Sequence, residues 1–300
     1  MTLASPLALA AIPSTVLWSY FVAALVLALG LAAIFLRGDW RRARGLDKLI
    51  LLGPLFYAAP LAGFGAEHFT LSPAIASIVP SWMPWHVFWA YFVGACFIAA
   101  PFSLVTRIQA RLSALLLALT FFLFVALMDA PAWAQDTRDR FALALALREL
   151  SFSGGALAFA ASLTPRRDAP AARFLAALAR YFVAVPALVY SFEQFRHPAY
   201  VPAIPLDRLT PVWIYGHAMW TYFAAAVALV AGALLLVGSK TRAAAASLAL
   251  AVLLIELAVY VPIAVVDRAT IVGFNYAADT LMYCGAILLL AGAMPREASA

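Results

Sequence analysis

The chain has 300 residues, of which 66% are hydrophobic and only 11% charged, and its mean hydropathy is +0.96. A soluble domain carries roughly a quarter charged residues, so this composition excludes a water-soluble enzyme and requires lipid around most of the surface. The net charge of +6 rests on arginines scattered between apolar runs, a pattern that excludes nucleic-acid binding.

A hydrocarbon core about 30 Å thick takes about 20 residues of helix at a rise of about 1.5 Å each. The first such run lies at 15–36. No Lys or Arg precedes it, so it reads as a retained helix rather than a cleavable signal peptide. The basic segment RGDWRRARGLDK follows, and then apolar runs at 49–69, 86–106, 112–128, 141–163, 174–195, 213–237, 243–266 and 273–293. The expected fold is all-α, a polytopic helical membrane protein of about nine transmembrane helices. Pro54, Pro60, Pro101, Pro186 and Pro262 predict kinks or helix boundaries. The loop TLSPAIASIVPSWMPW before the third span is uncharged, and it and RHPAYVPAIPLDRLTP before the seventh are expected to lie along the interface or to lid a pocket.

Basic residues orient the chain, because short loops rich in them stay in the cytoplasm. Alternate connections carry Arg37, Arg41, Arg42, Arg44 and Lys48, then Arg107 and Arg111, then Arg166, Arg167 and Arg173, then Lys240 and Arg242, and finally Arg296. The other connections hold only Arg138, Arg140, Arg196, Arg208 and Arg268. The N-terminus is therefore expected outside and the C-terminus in the cytoplasm. Seven tryptophans, all except Trp40, fall at or near the outer face, as an interfacial belt would.

Two stretches repeat. FYAAPLAGFGAEHF in the second span matches FVAVPALVYSFEQF in the sixth, aligning Pro60 with Pro186 and Glu67 with Glu193. HVFWAYF opens the third span and HAMWTYF the seventh, so two of the four histidines, His86 and His217, occupy equivalent positions. The same offset carries Arg111 onto Arg242 and Pro131 onto Pro262, and Glu149 aligns with Asp279 if Gly155 is set against Gly285. The expectation is an N-terminal helix and basic loop over 1–48, then two parallel four-helix repeats over 49–163 and 174–293.

A four-span unit with an acidic residue late in its first helix, and a small-residue helix ending in LLLVGSKTR at 234–242, resembles the DoxX-like family of bacterial membrane proteins in a tandem form. The resemblance implies residence in the bacterial inner membrane and an accessory role in a membrane redox complex or an envelope process. The chain departs from that family in lacking an acidic residue around 93–97 and 224–228.

Charges inside a bilayer are costly and mark functional sites unless they reach an interface. Arg180 lies within snorkelling range of the cytoplasmic end. The remaining polar residues gather toward the outer half as two groups, Glu67, His68, His86, Arg148 and Glu149 in one half and Glu193, His197, His217, Asn275 and Asp279 in the other. The candidate ligand-binding residues are Glu67, His86, Trp89, Glu149, Glu193, His217, Trp220 and Asp279, lining an outward-facing polar and aromatic pocket. Such a pocket suits a small apolar ligand, a quinone or a lipid. Alternatively, the carboxylates simply staple helix ends as a structural assembly partner would need.

Glu256, deepest in its span, is a candidate proton relay, which would make the chain a proton-coupled transporter. Glu67, His68 and His86 could also ligate a metal, but residues 67 and 68 diverge by about 100° on a helix, and no HExxH spacing occurs. A haem between His86 and His217 is disfavoured by their interfacial position. The sequence has no GxSxG elbow, no phosphate loop and no CxxC pair, and Cys96 and Cys284 read as apolar core.

Overall fold

The structure is a computed structural model that describes residues 12–166, 168–204 and 208–296. Among these residues nine helices are long and apolar enough to cross a membrane. They are α1 Ser14–Leu36, α2 Leu46–Thr70, α3 His86–Thr106, α4 Ala110–Gln135, α5 Arg140–Ser162, α6 Pro170–Arg196, α7 His217–Val237, α8 Thr241–Val266 and α9 Ile271–Ala293. The protein is an all-α polytopic membrane protein. Arg167 and Asp207 lie outside the described residues.

The helices form a ring with a central pair. Going round it, α2 packs on α3, α3 on α4, α4 on α5, α5 on α6, α6 on α7, α7 on α8, α8 on α9, and α9 returns to α2. Helices α5 and α9 also pack against each other across the middle, while α1 lies outside the ring against α2. Small residues allow the close approaches. Gly155 of α5 faces the backbone of Ala286 in α9, and Gly285 faces the backbone of Phe56 and Tyr57 in α2, where a Cβ would collide.

A constant interval runs through the bounds. His86–Thr106 recurs as His217–Val237, Ala110–Gln135 as Thr241–Val266, and Arg140–Ser162 as Ile271–Ala293, each displaced by the 131 residues that also separate Arg148 from Asp279. Local irregularities keep the same interval. Arg107 and Gly238 both hold a left-handed conformation, with φ of 66° and 77°, at the ends of α3 and α7. Turns of π-helix occupy Val125–Asp129 in α4 and Glu256–Tyr260 in α8.

Proline accounts for the wide turns. Pro131 and Pro262 each follow a π turn. Each ring lacks an N–H and would strike the carbonyl four residues earlier, that of Leu127 or Ala258, so an extra residue in the turn relieves the clash. Pro60, Pro101 and Pro186 instead lie inside continuous helices, and Pro54 begins the main segment of α2.

One end of the ring is basic and the other aromatic. At the basic end Arg180 caps α7, donating from Nη1 to the carbonyls of Leu235 and, at 3.1 Å, Leu236. At the aromatic end Trp82, Trp85 and Trp213 are exposed. There the connection from α6 to α7 turns inward, burying Val201 and Ile204. It is held by the Tyr260 hydroxyl donating to the Pro202 carbonyl at 2.6 Å and by Arg208 donating to Asp267 at 2.6 Å.

Candidate functional site

Apolar pressure packs α5 and α9 side by side, and this juxtaposition brings charged residues together inside the bundle. Arg148 of α5 donates from Nη1 to Asp279 Oδ2 of α9 at 2.6 Å, and its Nη2 lies 3.4 Å from Glu149 Oε1. The side chains are 16% and 7% exposed for Arg148 and Asp279, so the ion pair is withdrawn from solvent and lipid alike. Glu149 in turn sits against Asp129 at the end of the π turn in α4, close enough for the two carboxyl groups to hydrogen-bond. On the other side, one helical turn before Asp279, the Asn275 amide reaches Glu67 of α2 at 3.3 Å.

Five ionisable side chains from four helices thus form one buried cluster. Four of them are carboxyls and one is a guanidinium. Arg148 Nε is buried without an acceptor in reach, and Glu149 Oε2 and Asp129 Oδ2 are buried with no N–H or hydroxyl donor in reach. Tyr190 and Tyr283, buried and edge to face at 6.0 Å, lie beside the pair, and the Tyr190 hydroxyl donates to the Ala144 carbonyl at 2.7 Å.

Glu256 opens the π turn of α8 and is 3% exposed, with Oε2 unpaired. Tyr260 closes the same turn, donates its hydroxyl to the Pro202 carbonyl and stacks on Tyr276 at 6.3 Å, and Thr280, which donates to the Tyr276 carbonyl at 3.1 Å, adjoins Asp279 in α9.

The grouping expected by halves is rearranged. Asn275 and Asp279 join Glu67, Arg148 and Glu149, because α9 packs against α2 and α5 rather than keeping to its own half. Glu193 stands apart. It accepts from Arg140 Nε at 2.8 Å, with His197 at 3.9 Å, and the Arg140 guanidinium lies 4.3 Å from the centre of the Tyr200 ring.

The aromatic members of the expected outward-facing pocket do not come together. Helix α3 packs between α2 and α4, and α7 between α6 and α8, so His86 and Trp89 do not meet His217 and Trp220. Trp89 donates to the Pro84 carbonyl at 2.9 Å, Trp220 meets Phe223 edge to face at 6.2 Å, and His217 is exposed. His68 turns away from Glu67, with Nδ1 2.8 Å from the Phe64 carbonyl and its ring against Phe97. Among the described residues no three His, Cys, Asp or Glu side chains gather in a way that could hold a metal ion.

Asp129 falls just past the fourth apolar run, 112–128, and so outside the residues expected to form the site. A signal existed: Asp129 lies two residues before Pro131, and the helix continues through the π turn to Gln135. Aligning Glu149 with Asp279 takes an offset of 130, one residue short of the interval between the helix bounds. The interval of 131 instead sets Arg148 against Asp279 and Gly155 against Ala286, the pairs that touch.

Comparison of the chain with protein-family models, with curated proteins and with solved structures finds no match.

Proposed function

We propose that this integral membrane protein binds and releases protons at the buried cluster, as a proton-coupled carrier of a small solute. The observation that carries the reading is the imbalance of four carboxyl groups, Glu67, Asp129, Glu149 and Asp279, around the single guanidinium of Arg148. Unpaired carboxylates are costly in a low-dielectric interior, and two adjoining carboxyl groups satisfy each other only by sharing a proton. Glu256, in the π turn that Tyr260 closes, adds a further proton-holding group in α8. Wide turns of π-helix are frequent at functional sites, and here each carries one of these carboxyls.

Infrared spectra of the reconstituted protein across pH test this. Carbonyl bands of protonated carboxyl groups should be present and should be lost in part in Asp129→Asn, Glu149→Gln and Glu256→Gln. A wild type without such bands, or folded variants that leave them unchanged, would sink the reading.

A second reading keeps a small apolar ligand, a quinone or a lipid, near Glu67. It is favoured by the rings of Tyr20 and Phe64 on either side of Phe274, at 5.0 and 6.1 Å, and by the buried, unpartnered Tyr20 hydroxyl. A quinone or lipid that copurifies with the wild type and is absent from Glu67→Gln would support it.

In the same proposal the chain is a tandem DoxX-like protein of the bacterial inner membrane, N-terminus outside and C-terminus inside. The recurrence of helix bounds, left-handed ends and π turns at 131 residues supports the duplication. The crowding of Arg and Lys at one end of the ring supports the orientation.

A further inference from the structure

At the basic end, the segment between α1 and α2 folds under the bundle and borders an open cavity of about 780 Å³ with the ends of α3, α8 and α9. Two aspartates organise the arginines there. Asp39 accepts from Arg37 at 3.1 Å and Arg42 at 2.8 Å, and Arg107 approaches it at 3.6 Å. Asp47 accepts from Arg242 at 2.5 Å and Arg296 at 2.7 Å, and Arg242 is further fixed by donating to the Ala291 carbonyl at 3.0 Å.

Five guanidinium groups therefore converge on two carboxylates. Asp168, on another part of the wall, offsets one more positive charge and still leaves a surplus. The surplus calls for an anion. The aspartates serve to hold the arginines apart and aimed, and Arg42 and Arg107 keep 72% and 46% of their side chains exposed for a further partner. Planar guanidinium forks match the oxygens of a phosphate better than they match a halide or a lone carboxylate. Arg107 takes its place at φ 66°, a left-handed backbone where its counterpart Gly238 is a glycine. The rest of the wall is apolar, with Ile50, Leu51 and Met294 beneath the arginines. A bare phosphate would fill little of this volume, whereas an anionic phospholipid would set its phosphate on the arginines and its glycerol and first methylenes on the apolar wall.

We infer that this cavity is a binding site for the phosphate group of an anionic phospholipid. Arg42 and Arg107 are the residues that reach it, and Arg242 and Arg296 form the side of the site that Asp47 holds in place.

The test is native mass spectrometry of the full chain in detergent with equal amounts of phosphatidylglycerol and phosphatidylcholine. Bound phosphatidylglycerol should predominate in the wild type and should fall roughly tenfold for each of Arg42→Gln and Arg107→Gln, as the loss of a charge-assisted hydrogen bond to the phosphate would give. Arg41→Gln removes the same charge from the same segment at an exposed residue outside the cavity wall, and should leave binding unchanged. Equal loss in Arg41→Gln would reduce the effect to surface attraction and overturn the site. So would equal binding of the two lipids, or an undiminished signal in the folded Arg42→Gln and Arg107→Gln proteins. Inorganic phosphate, added alone, should not raise the unfolding temperature; if it does while phosphatidylglycerol shows no preference, the lipid is overturned as the source of the phosphate.

Discussion

Arg148 and Asp279 stand 131 residues apart in the chain and 2.6 Å apart in space. That interval also displaces the bounds of α7 from those of α3, of α8 from α4 and of α9 from α5, so each partner lies equally far from the start of its helix. One position carries the positive charge and its counterpart the negative one, and the two meet where α5 and α9 cross the centre of the ring. Two identical residues there would repel or leave each other unpaired.

Removal of either partner should be destabilising, and more so for Arg148, whose loss strips the cluster of its one guanidinium, whereas without Asp279 Arg148 keeps Glu149 at 3.4 Å. Arg148→Gln is expected to lower stability by about 3 to 5 kcal/mol and Asp279→Asn by less, read from unfolding of the purified protein in detergent. The exchanged double variant, Arg148→Asp with Asp279→Arg, should recover part of that loss. An exchange no better than the worse single variant would mean that the surroundings of the two positions are not interchangeable.

The contact between α5 and α9 depends on Gly155, whose Cβ, if present, would lie 2.5 Å from both Cα and Cβ of Ala286. Gly155→Ala should part the helices and cost about 1 to 3 kcal/mol. At Gly292 a Cβ would meet only the Ile50 Cγ2 methyl at 3.3 Å, a contact relieved by a few tenths of an ångström, and Gly292→Ala should cost less than about 1 kcal/mol. Parallel unfolding curves of the two variants decide the matter.

Asp39 lies between α1 and α2, outside the spans. Partial burial pushes its carboxyl up, but hydrogen bonds from Arg37 and Arg42 and the charges of Arg107 and Arg37 outweigh this and hold it below the ordinary aspartate range. A carboxyl depressed in the folded state stabilises fully above its unfolded value, near 3.9, and loses that contribution as pH falls through the folded one. The stability difference between wild type and Asp39→Asn should therefore be constant at neutral pH and vanish only in strong acid. A difference that disappears between pH 5 and 7 would refute the assignment.

Cysteine labelling reads the orientation. Thr137 and Ser239 are exposed at opposite ends of the ring, and the native Cys96 and Cys284 lie within helices. In intact cells a membrane-impermeant maleimide should label Thr137→Cys, and it should reach Ser239→Cys only after permeabilisation. The reverse pattern would place the N-terminus inside.

Much of the fold is legible in the sequence because lipid imposes a simple rule on helix length and polarity. The third span begins at His86 and ends at Thr106 in both readings, since a histidine and a basic turn frame a purely apolar run. The fourth and eighth spans mark the limit. The apolar run of the fourth span ends at 128 and Pro262 suggests a kink or boundary in the eighth, whereas both helices absorb their proline by widening one turn, and in the fourth this carries Asp129 into the interior. The site was legible as a list of charged residues but not as a grouping. Hydropathy shows that Asp279 and Asn275 are within a span; only the packing of α9 on both α2 and α5 shows that they belong with Glu67 and Arg148.

Ring closure by α9 against α2 also bears on how the protein is made. Helix α2 leaves the ribosome early, yet the face that Gly285 and Asn275 cover waits until α9 is synthesised. Until then Glu67 must be shielded by lipid headgroups, water or an insertion factor. A chain interrupted after α5 would keep that seam open, so the nascent protein matures in a single late step rather than half by half.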